Sequence, residues 1–552
     1  MTKISTIAPL LQHIGNPCSE ASGRTCVASL HLTSGHHYTK FENALVWVLI
    51  CFVICQRNIP TAKAESSDRP NIVLIMADDM GFSDPGCYGG EIHTPNLDRL
   101  ARHGMRFTQF YNCAVCGPTR AALFSGLHPR QGGGVISENM ITVAQLLRQA
   151  GYRTSISGKW NVSCTASSFP LDRGFEEYYG FPDMPSNYFN PVLRDLKFGG
   201  FRGPIMDNRE PVTEFPEDYY VTDAVNDHAV KMIKRFSKSK DPFFVFVGHL
   251  APHSPLQAKP EDIERYRGKF AEGWDSLRKK RHQRQIEMGL VDPKWQLPEQ
   301  DPDVSPWAQE EHKEWQDLRM AVYAAMVDRM DQGIGRILQT LRDCEVDQNT
   351  IVLFLSDNGG THEEMRWDQP EITPGGIDTY CFCGPGWAFL QNTPFRRFKM
   401  FVHEGGIATP LIVRWPSMTE GGSITHHVGH VIDILPTLAE IAGTTYPDSW
   451  QGKPLVPLEG RSLVPLLQGK TCRDHEYLYW YGPHTGAAAV RHREWKLVSE
   501  GAGKAWELYD MASDRTETNN LADQLPERTG RLAEAWFAWA SRMELDLNQL
   551  SK

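Results

Sequence analysis

The chain lacks an apolar run long enough to cross a bilayer as a helix. Its strongest apolar stretch, "ALVWVLICFVIC" at 44–55, holds twelve residues, and a spanning helix needs about 20. A basic excess is also missing: 57 Lys and Arg stand against 67 Asp and Glu, a formal net charge of -10. That argues against a dedicated nucleic-acid binder, which carries a cationic footprint, so no nucleic-acid partner is expected. It leaves room for an anionic substrate, because a local cationic pocket can sit on an acidic protein. Cysteine is sparse. Of 12 Cys, four (Cys18, Cys26, Cys51 and Cys55) fall in the first 64 residues and the others are scattered, which is no disulfide scaffold. "CFC" at 381–383 is poorly placed to close on itself, and spacing fixes no pairing. The second C-x-x-C pair that a zinc site would need is absent, as are internal repeats and low-complexity tracts.

What is present begins with a leader. The run at 44–55 has the length of a signal-peptide h-region, Lys40 lies just upstream, and "TAKA" at 61–64 offers a cleavage site before Glu65. Residues 1–64 are therefore an N-terminal extension with a signal peptide. The protein is expected to be exported, periplasmic or secreted, with no stable membrane span after cleavage; an uncleaved N-terminal anchor is the alternative. No Met occurs between Met1 and Met76, so a later start would need another codon. The remaining composition, 41% hydrophobic and 22% charged over 552 residues, is globular and suggests more than one structural unit.

Short apolar runs bounded by turn residues recur: "NIVLIM" (71–76), "FFVFVG" (243–248), "TIVLFLS" (350–356) and "TPLIVRW" (409–415). Their Val, Ile and Phe content fits buried strands of a parallel sheet. Helical segments lie between them. "TVAQLLRQAG" (142–151) has Thr142 as cap, Gln145 three residues on and Gly151 as stop. The segment 320–343 is long and amphipathic, with Gly333 and Gly335 as weak points. The fold class is α/β: a large mixed, mostly parallel sheet flanked by helices. Residues 65–460 form the catalytic domain, with a charged helical insertion at about 259–318 read as a solvated face. Residues 461–552 form a smaller α+β subdomain, in which aromatic runs build a small antiparallel sheet and 527–543 a closing helix.

Ligands of open parallel sheets bind beyond the carboxyl ends of the strands. After the first run come Asp78 and Asp79; after the second, His253; after the third, Asp357 and Asn358; after "YRTSIS" (152–157), Gly158 and Lys159. Either acidic pair alone would be a loop or a cap, and "SDNGG" is a good turn sequence. Together, Asp78, Asp79, Asp357 and Asn358 offer only hard oxygen donors, which favours Ca²⁺ or Mg²⁺ over Zn²⁺. The stretch "NCAVCGPTRAALFSG" (112–126) places Cys116 just before a helix that Pro118 opens and Gly126 ends. An anion is favoured at such a helix start. A redox C-G-P-C reading fails because Thr119 stands where the second cysteine would be.

These residues resemble the formylglycine-dependent sulfatases of the alkaline-phosphatase-like superfamily (type I sulfatases, arylsulfatases). The family pattern C-x-P-[ST]-R with x-x-L-x-[ST]-G is met by Cys116, Pro118, Thr119, Arg120, Leu123, Ser125 and Gly126. The resemblance continues through "ADDMGFSDPGCYGG", "SGKW", "APHSPLQA", "SDNGG", "TPFRRFKMFVHEGG" and "VIDILPTLAEIAG", from about residue 69 to the C-terminus. It implies that a formylglycine-generating maturation system oxidises Cys116 to Cα-formylglycine, whose hydrate attacks the sulfur of a sulfate monoester; the second hydroxyl then expels sulfate. It further implies one Ca²⁺ held by Asp78, Asp79, Asp357, Asn358 and an oxygen of residue 116. By the same resemblance Arg120 stabilises that oxygen, Lys159 and Lys399 grip sulfate, His253 serves the leaving oxygen, and Ser186 in "GFPDMPSNYF" contacts sulfate. Cys113 is read as a packing residue. The substrate is a sulfated small molecule or glycan.

One departure stands out. The family's G-K-W-H reads "GKWN" here, with Asn161 where a histidine would assist sulfate release. Asparagine hydrogen-bonds but carries no proton near neutral pH. His128, His362 and His403 are the histidines that could replace it in space. Two alternatives to sulfate-ester hydrolysis therefore stand: a phosphate or phosphonate monoesterase on the same scaffold, and an impaired sulfate-binding homologue.

Overall fold

The structure, a computed structural model, describes residues 69–129, 135–165, 167–183, 187–193, 204–364, 368–482 and 485–545. The expected leader (1–64) and Ser186 lie outside the described residues.

Ten strands form the main sheet: β1 (Asn71–Asp78), β2 (Met105–Tyr111), β3 (Arg153–Lys159), β4 (Glu177–Phe181), β5 (Ile205–Asp207), β6 (Glu210–Val212), β7 (Phe243–Pro252), β8 (Thr350–Ser356), β9 (Ala408–Arg414) and β10 (Ser423–His430). Their spatial order is β10-β2-β9-β8-β1-β7-β3-β4-β5-β6. The central run β8-β1-β7-β3-β4 is parallel throughout. All eight side chains of β1 are buried, as a strand covered on both faces requires. The run at 409–415 departs from expectation. It forms β9, which is antiparallel to β8 and β2. Apolar content reports burial on two faces, and β9 has that burial without the direction.

Alternate residues of β1 face two separate cores. Val73 and Ile75 join helices α3 (Val221–Phe236) and α5 (Lys313–Asp343) on one side. Ile72, Leu74 and Met76 join helices α1 (Cys116–Ser125), α2 (Val143–Gln149) and α6 (Ile434–Ile441) on the other. Helix α2 starts as its sequence predicts: the Thr142 side chain accepts from the Gln145 amide at 3.1 Å, and the Gln145 side chain returns the bond. Helix α5 runs unbroken over 31 residues. Gly333 and Gly335 are not weak points but close approaches. A Cβ on Gly333 would stand 1.9 Å from Asn226 Nδ2, and one on Gly335 2.7 Å from the Asn96 side chain.

The charged insertion also differs from a solvated face. In helix α4 (Gly273–Glu287), Trp274, Leu277, Arg278, Arg281 and Gln285 are buried. Arg278 donates to the carbonyls of Phe389, Pro394 and Phe395 at 2.6, 2.8 and 3.0 Å, and Arg281 pairs with Asp84 and Glu91 at 2.9 and 2.8 Å. The C-terminal region has the expected form. Strands β11 (Leu478–Gly482), β12 (Ala487–His492), β13 (Trp495–Ser499) and β14 (Glu507–Asp510) make an antiparallel sheet covered by helix α7 (Pro526–Arg542), around Trp536 and Trp539. The eight described cysteines are free thiols.

Candidate active site

Parallel pairing brings the carboxyl ends of β8, β1, β7 and β3 to one edge. Ala77 lies opposite Ser356, and Asp78 opposite Pro252, so Asp357 and His253 arrive beside the acidic pair. Asp79 turns off the strand with φ 63°, a left-handed conformation that is uncommon outside glycine and costly to hold. The turn is pinned: Asp79 N–H donates to Asp357 Oδ1 at 3.3 Å and Met80 N–H to Ser356 Oγ at 3.1 Å.

Three carboxylates face three cations here, all buried. Arg120 donates through Nε and Nη2 to Asp357 Oδ2 at 3.1 and 2.9 Å, and through Nη1 to the Lys159 carbonyl at 3.0 Å. Lys159 Nζ meets Asp78 Oδ2 at 2.5 Å, and Lys399 Nζ meets Asp79 Oδ1 at 2.8 Å. Burial pushes Asp78 up, but Lys159, His253, Arg120 and Lys399 outweigh it and hold that carboxyl well below its ordinary range. Burial and the neighbouring Asp78 push Asp357 the other way. Such a split is what crowded carboxylates in one site show. Asp79 holds Lys399 well above its usual value despite burial.

Asp78 Oδ1 and Asn358 Oδ1 are buried acceptors with no hydrogen-bond partner. Asn358 Nδ2 is already committed to Asp79 Oδ1 at 2.7 Å, which turns its oxygen elsewhere. Orphaned buried acceptors are rare and costly. A hard cation would satisfy them, so the donor set fits Ca²⁺ or Mg²⁺. Asp78, Asp79 and His253 offer ligand atoms within 4.8 Å of one another. The sequence did not place His253 in that set; His253 Nε2 lies 3.5 Å from Asp79 Oδ2. Its Nδ1 lies 2.6 Å from the Ser254 carbonyl, which only accepts, so Nδ1 carries the proton and Nε2 faces the site.

Cys116 is the first residue of α1, one place further in than expected, with Val115 as N-cap. Burial pushes its thiol up, against the pull of Lys159 and Lys399. The unmodified side chain is therefore a neutral thiol among cations. Cys113 packs in the core below. Asn161 has φ 48° and lies against Gly117, the residue after Cys116. The three histidines that could have replaced it go elsewhere. His128 packs on His430, Tyr479 and Trp539, His362 stacks on Phe398, and His403 sits 3.2 Å from Glu507.

Two supporting residues escaped sequence reasoning. Asp183 accepts from Asn161 Nδ2 at 3.2 Å. Gln257 bonds Tyr188 N–H and the carbonyls of Ile377 and Thr379 at 2.8, 3.1 and 2.8 Å, and Tyr188 OH donates to the His253 carbonyl. "APHSPLQ" contained Gln257, but nothing in its spacing announced a clamp.

Sheet order and site together define an alkaline-phosphatase-like α/β enzyme. The Sulfatase family model matches residues 70–444, and the model described as N-sulphoglucosamine sulphohydrolase, C-terminal, matches 395–530. The chain belongs to the sulfatase family, the sulfuric ester hydrolases. It is 32% identical over 526 residues to an uncharacterized sulfatase of Schizosaccharomyces pombe, covering 86% of this chain and 94% of the relative. An arylsulfatase of Klebsiella aerogenes is 31% identical over 448 residues, 74% of this chain and 94% of that one. The solved structure of Ps i-CgsB in complex with k-i-k-neocarrahexaose superposes with a TM-score of 0.64 at 25% identity, covering 86% of this chain and 93% of that one.

Proposed function

We propose that the chain is an exported hydrolase of carbohydrate sulfate monoesters that works through an oxidised Cys116 and a bound Ca²⁺. The carrying observation is the charge arithmetic. Asp78, Asp79 and Asp357 are balanced by Arg120, Lys159 and Lys399, while two acceptors stay unpaired. A divalent cation there leaves two positive charges in excess in a buried site, which suits a singly charged sulfate monoester whose cleavage releases doubly charged sulfate.

Asp78, Asp79, Asp357 and Asn358 would hold the ion, which supplies Lewis-acid polarisation of a sulfate oxygen. As Cα-formylglycine hydrate, residue 116 supplies a hydroxyl nucleophile that a buried neutral thiol does not. Arg120 fixes the β3 end through the Lys159 carbonyl and the β8 end through Asp357, so nucleophile and ion keep one spacing. Lys159 and Lys399 bind sulfate oxygens. His253 Nε2, unprotonated in the neutral ring that burial favours, meets the bridging oxygen; it takes up a proton to form the imidazolium and then gives that proton to the departing alcohol. Support for a carbohydrate alcohol comes from the oligosaccharide in Ps i-CgsB. Export rests on the leader alone.

Mass spectrometry of the Cys116 peptide, from a host with the maturation system, should show the aldehyde mass; unmodified cysteine would sink the covalent reading. Desulfation of a panel of defined sulfated sugars tests the substrate class. Comparing kcat/KM on matched aryl sulfate and aryl phosphate separates this reading from a phosphate or phosphonate monoesterase. Asn161 motivates the other reading, an impaired sulfate binder: absence of turnover in both the natural protein and Asn161→His would favour it.

A further inference from the structure

Two cavities meet at the tip of the β12–β13 hairpin. The smaller, of about 220 Å³, is lined by His492, Trp495, Arg528 and Arg531 among others. The larger, of about 670 Å³, reaches His426 and His427 on β10 and His475 ahead of β11. Arg493 and Glu494 line both, so a chain laid over the tip touches both. No active-site residue lines either cavity.

The smaller cavity runs against the charge of the molecule. The chain carries a net charge of -10, yet Arg493, Arg528 and Arg531 face a single carboxylate here, Glu494. Among the described residues, none of these three guanidinium groups makes a hydrogen bond or an ion pair, whereas the buried Arg281, Arg397 and Arg515 all meet carboxylates. The unpaired cations are nonetheless held. His492 and Trp495 are cross-strand partners, which sets their side chains on one face. Tyr477 stacks on His492 with ring centroids 4.5 Å apart. The Arg528 guanidinium lies 3.8 Å over the Trp495 ring, a stack that fixes its plane and leaves the N–H edge for a ligand. Arg531 follows one turn later on the same side of α7.

We propose that the hairpin tip and the start of α7 form a second binding site, for a sulfated polysaccharide chain. The inference deepens the carbohydrate-sulfate reading and rests on it. A sulfate ester accepts paired N–H bonds from a guanidinium fork, and a polymer carries such esters at intervals, as the tip carries Arg493, Arg528 and Arg531. Glu494, set among them, accepts from sugar hydroxyls; a DNA backbone has no such donors and is repelled by that carboxylate. A chain held at the tip keeps its esters near the active site, which lowers KM for the polymer and leaves the reaction of a single sugar unchanged.

The probe is labelled dextran sulfate, read by fluorescence anisotropy on the intact protein in about 0.15 M salt. Asparagine tolerates the φ of 55° at Arg493, and Arg531 is exposed, so the double variant Arg493→Asn, Arg531→Gln should fold as the wild type does. It should bind the probe about 10-fold more weakly. Its kcat/KM on a sulfated monosaccharide should be unchanged, and its KM on a sulfated polysaccharide raised. Arg528→Lys, which keeps the charge but not the fork or the stack, should weaken binding about 3-fold. Neutral dextran should not displace the probe, and DNA of matched charge should displace it poorly. Unchanged binding in the double variant overturns the site. Displacement by DNA as strong as by unlabelled dextran sulfate overturns the glycan assignment and makes the tip a general polyanion surface. Anisotropy decides the site whether or not the protein turns over any ester, and desulfation of defined sugars decides the activity, so the two readings fail separately.

Discussion

Among the described residues, two of the buried clusters of opposite charges are used differently. At the sheet edge, Asp78, Asp79 and Asp357 meet Arg120, Lys159 and Lys399, and two acceptors are left over. Under the C-terminal sheet, Glu404 meets Lys496 at 2.9 Å, Arg515 at 2.9 Å and Tyr111 OH at 2.8 Å. Its N–H donates to Glu517 Oε2 at 2.9 Å, and Lys496 also reaches Glu517 at 2.8 Å. Arg515 extends to the Thr108 carbonyl on β2, so the second cluster ties β2 and the segment after β14 to the short turn at Glu404. Both Glu404 oxygens are spoken for. The difference lies at the carboxylates: in the closed cluster both Glu404 oxygens have donors and Glu517 Oε1 has the Lys496 ammonium 2.8 Å away, although Arg515 Nη2 lacks an acceptor, whereas the open cluster leaves Asp78 Oδ1 and Asn358 Oδ1 for a ligand. Damage to the closed Glu404 cluster should cost stability and spare chemistry. Damage to the open cluster at the sheet edge should do the reverse.

The hardest blow to the open cluster is Cys116→Ser, which cannot yield the aldehyde by the same oxidation. Turnover should fall on the order of 10⁶-fold, the scale of nucleophile deletions, with an unchanged melting temperature. A parallel loss of stability would mean that the two clusters are not separable in this way. Chelation comes next. Stripping divalent ions should lower turnover by about 10³-fold, the scale of several kcal/mol of Lewis-acid stabilisation, and added Ca²⁺ should restore it. Unaffected turnover in a metal-free assay would remove the ion from the site.

The closed cluster is tested by Glu404→Gln. Lys496 and Arg515 would keep buried charges without their shared counter-charge, at a cost of about 3 kcal/mol, read from urea unfolding; turnover per folded molecule should stay within a factor of two of the wild type, or roughly 0.4 kcal/mol. The same residue predicts a pH window. Burial raises Glu404, but Lys496, Arg515 and Arg491 outweigh it and bring it to about 2 from 4.5. A carboxyl depressed on folding lends stability above its unfolded pKa and loses it as pH falls through the folded one. The wild type should lose about 3 kcal/mol between pH 4.5 and 2, and Glu404→Gln should be flatter in that window. Equal slopes would place the acid sensitivity elsewhere.

Much of the open cluster was legible because its residues follow the most apolar strands. Asp78, Asp79, Lys159, His253, Asp357 and Asn358 each sit where an apolar or β-like run stops, and parallel pairing brings such ends together. The antiparallel direction of β9 was not legible, since burial of both faces looks the same either way. Nor was the closed cluster: Glu404 and Lys496 are 92 positions apart, and no local pattern pairs them. Asp183 was missed for the same reason, as its partner Asn161 is 22 positions away. The basic run in α4 misled in the opposite sense. Arg278 and Arg281 look solvated in a charged segment, and only the tertiary fold supplies the carbonyls and carboxylates that bury them.

Arg278 sharpens the comparison because it belongs to neither cluster and serves both needs. Its guanidinium is fully buried over the Phe389 ring at 3.7 Å and donates to the Phe389, Pro394 and Phe395 carbonyls. Those carbonyls begin the turn that delivers Lys399 to Asp79. Burial without a carboxylate partner pulls this arginine down to about 9, so it is a clamp on backbone, not an ion pair. Arg278→Met keeps the stem and removes the donors. It should cost about 2 kcal/mol of stability, the scale of losing hydrogen bonds from a charged group. It should also raise KM about 3-fold with kcat nearly unchanged, because a looser Lys399 weakens sulfate binding before and during reaction alike. A stability loss with unchanged KM would show that the turn is fixed from the Asp79 side, and that the open cluster holds its own geometry without help from the insertion.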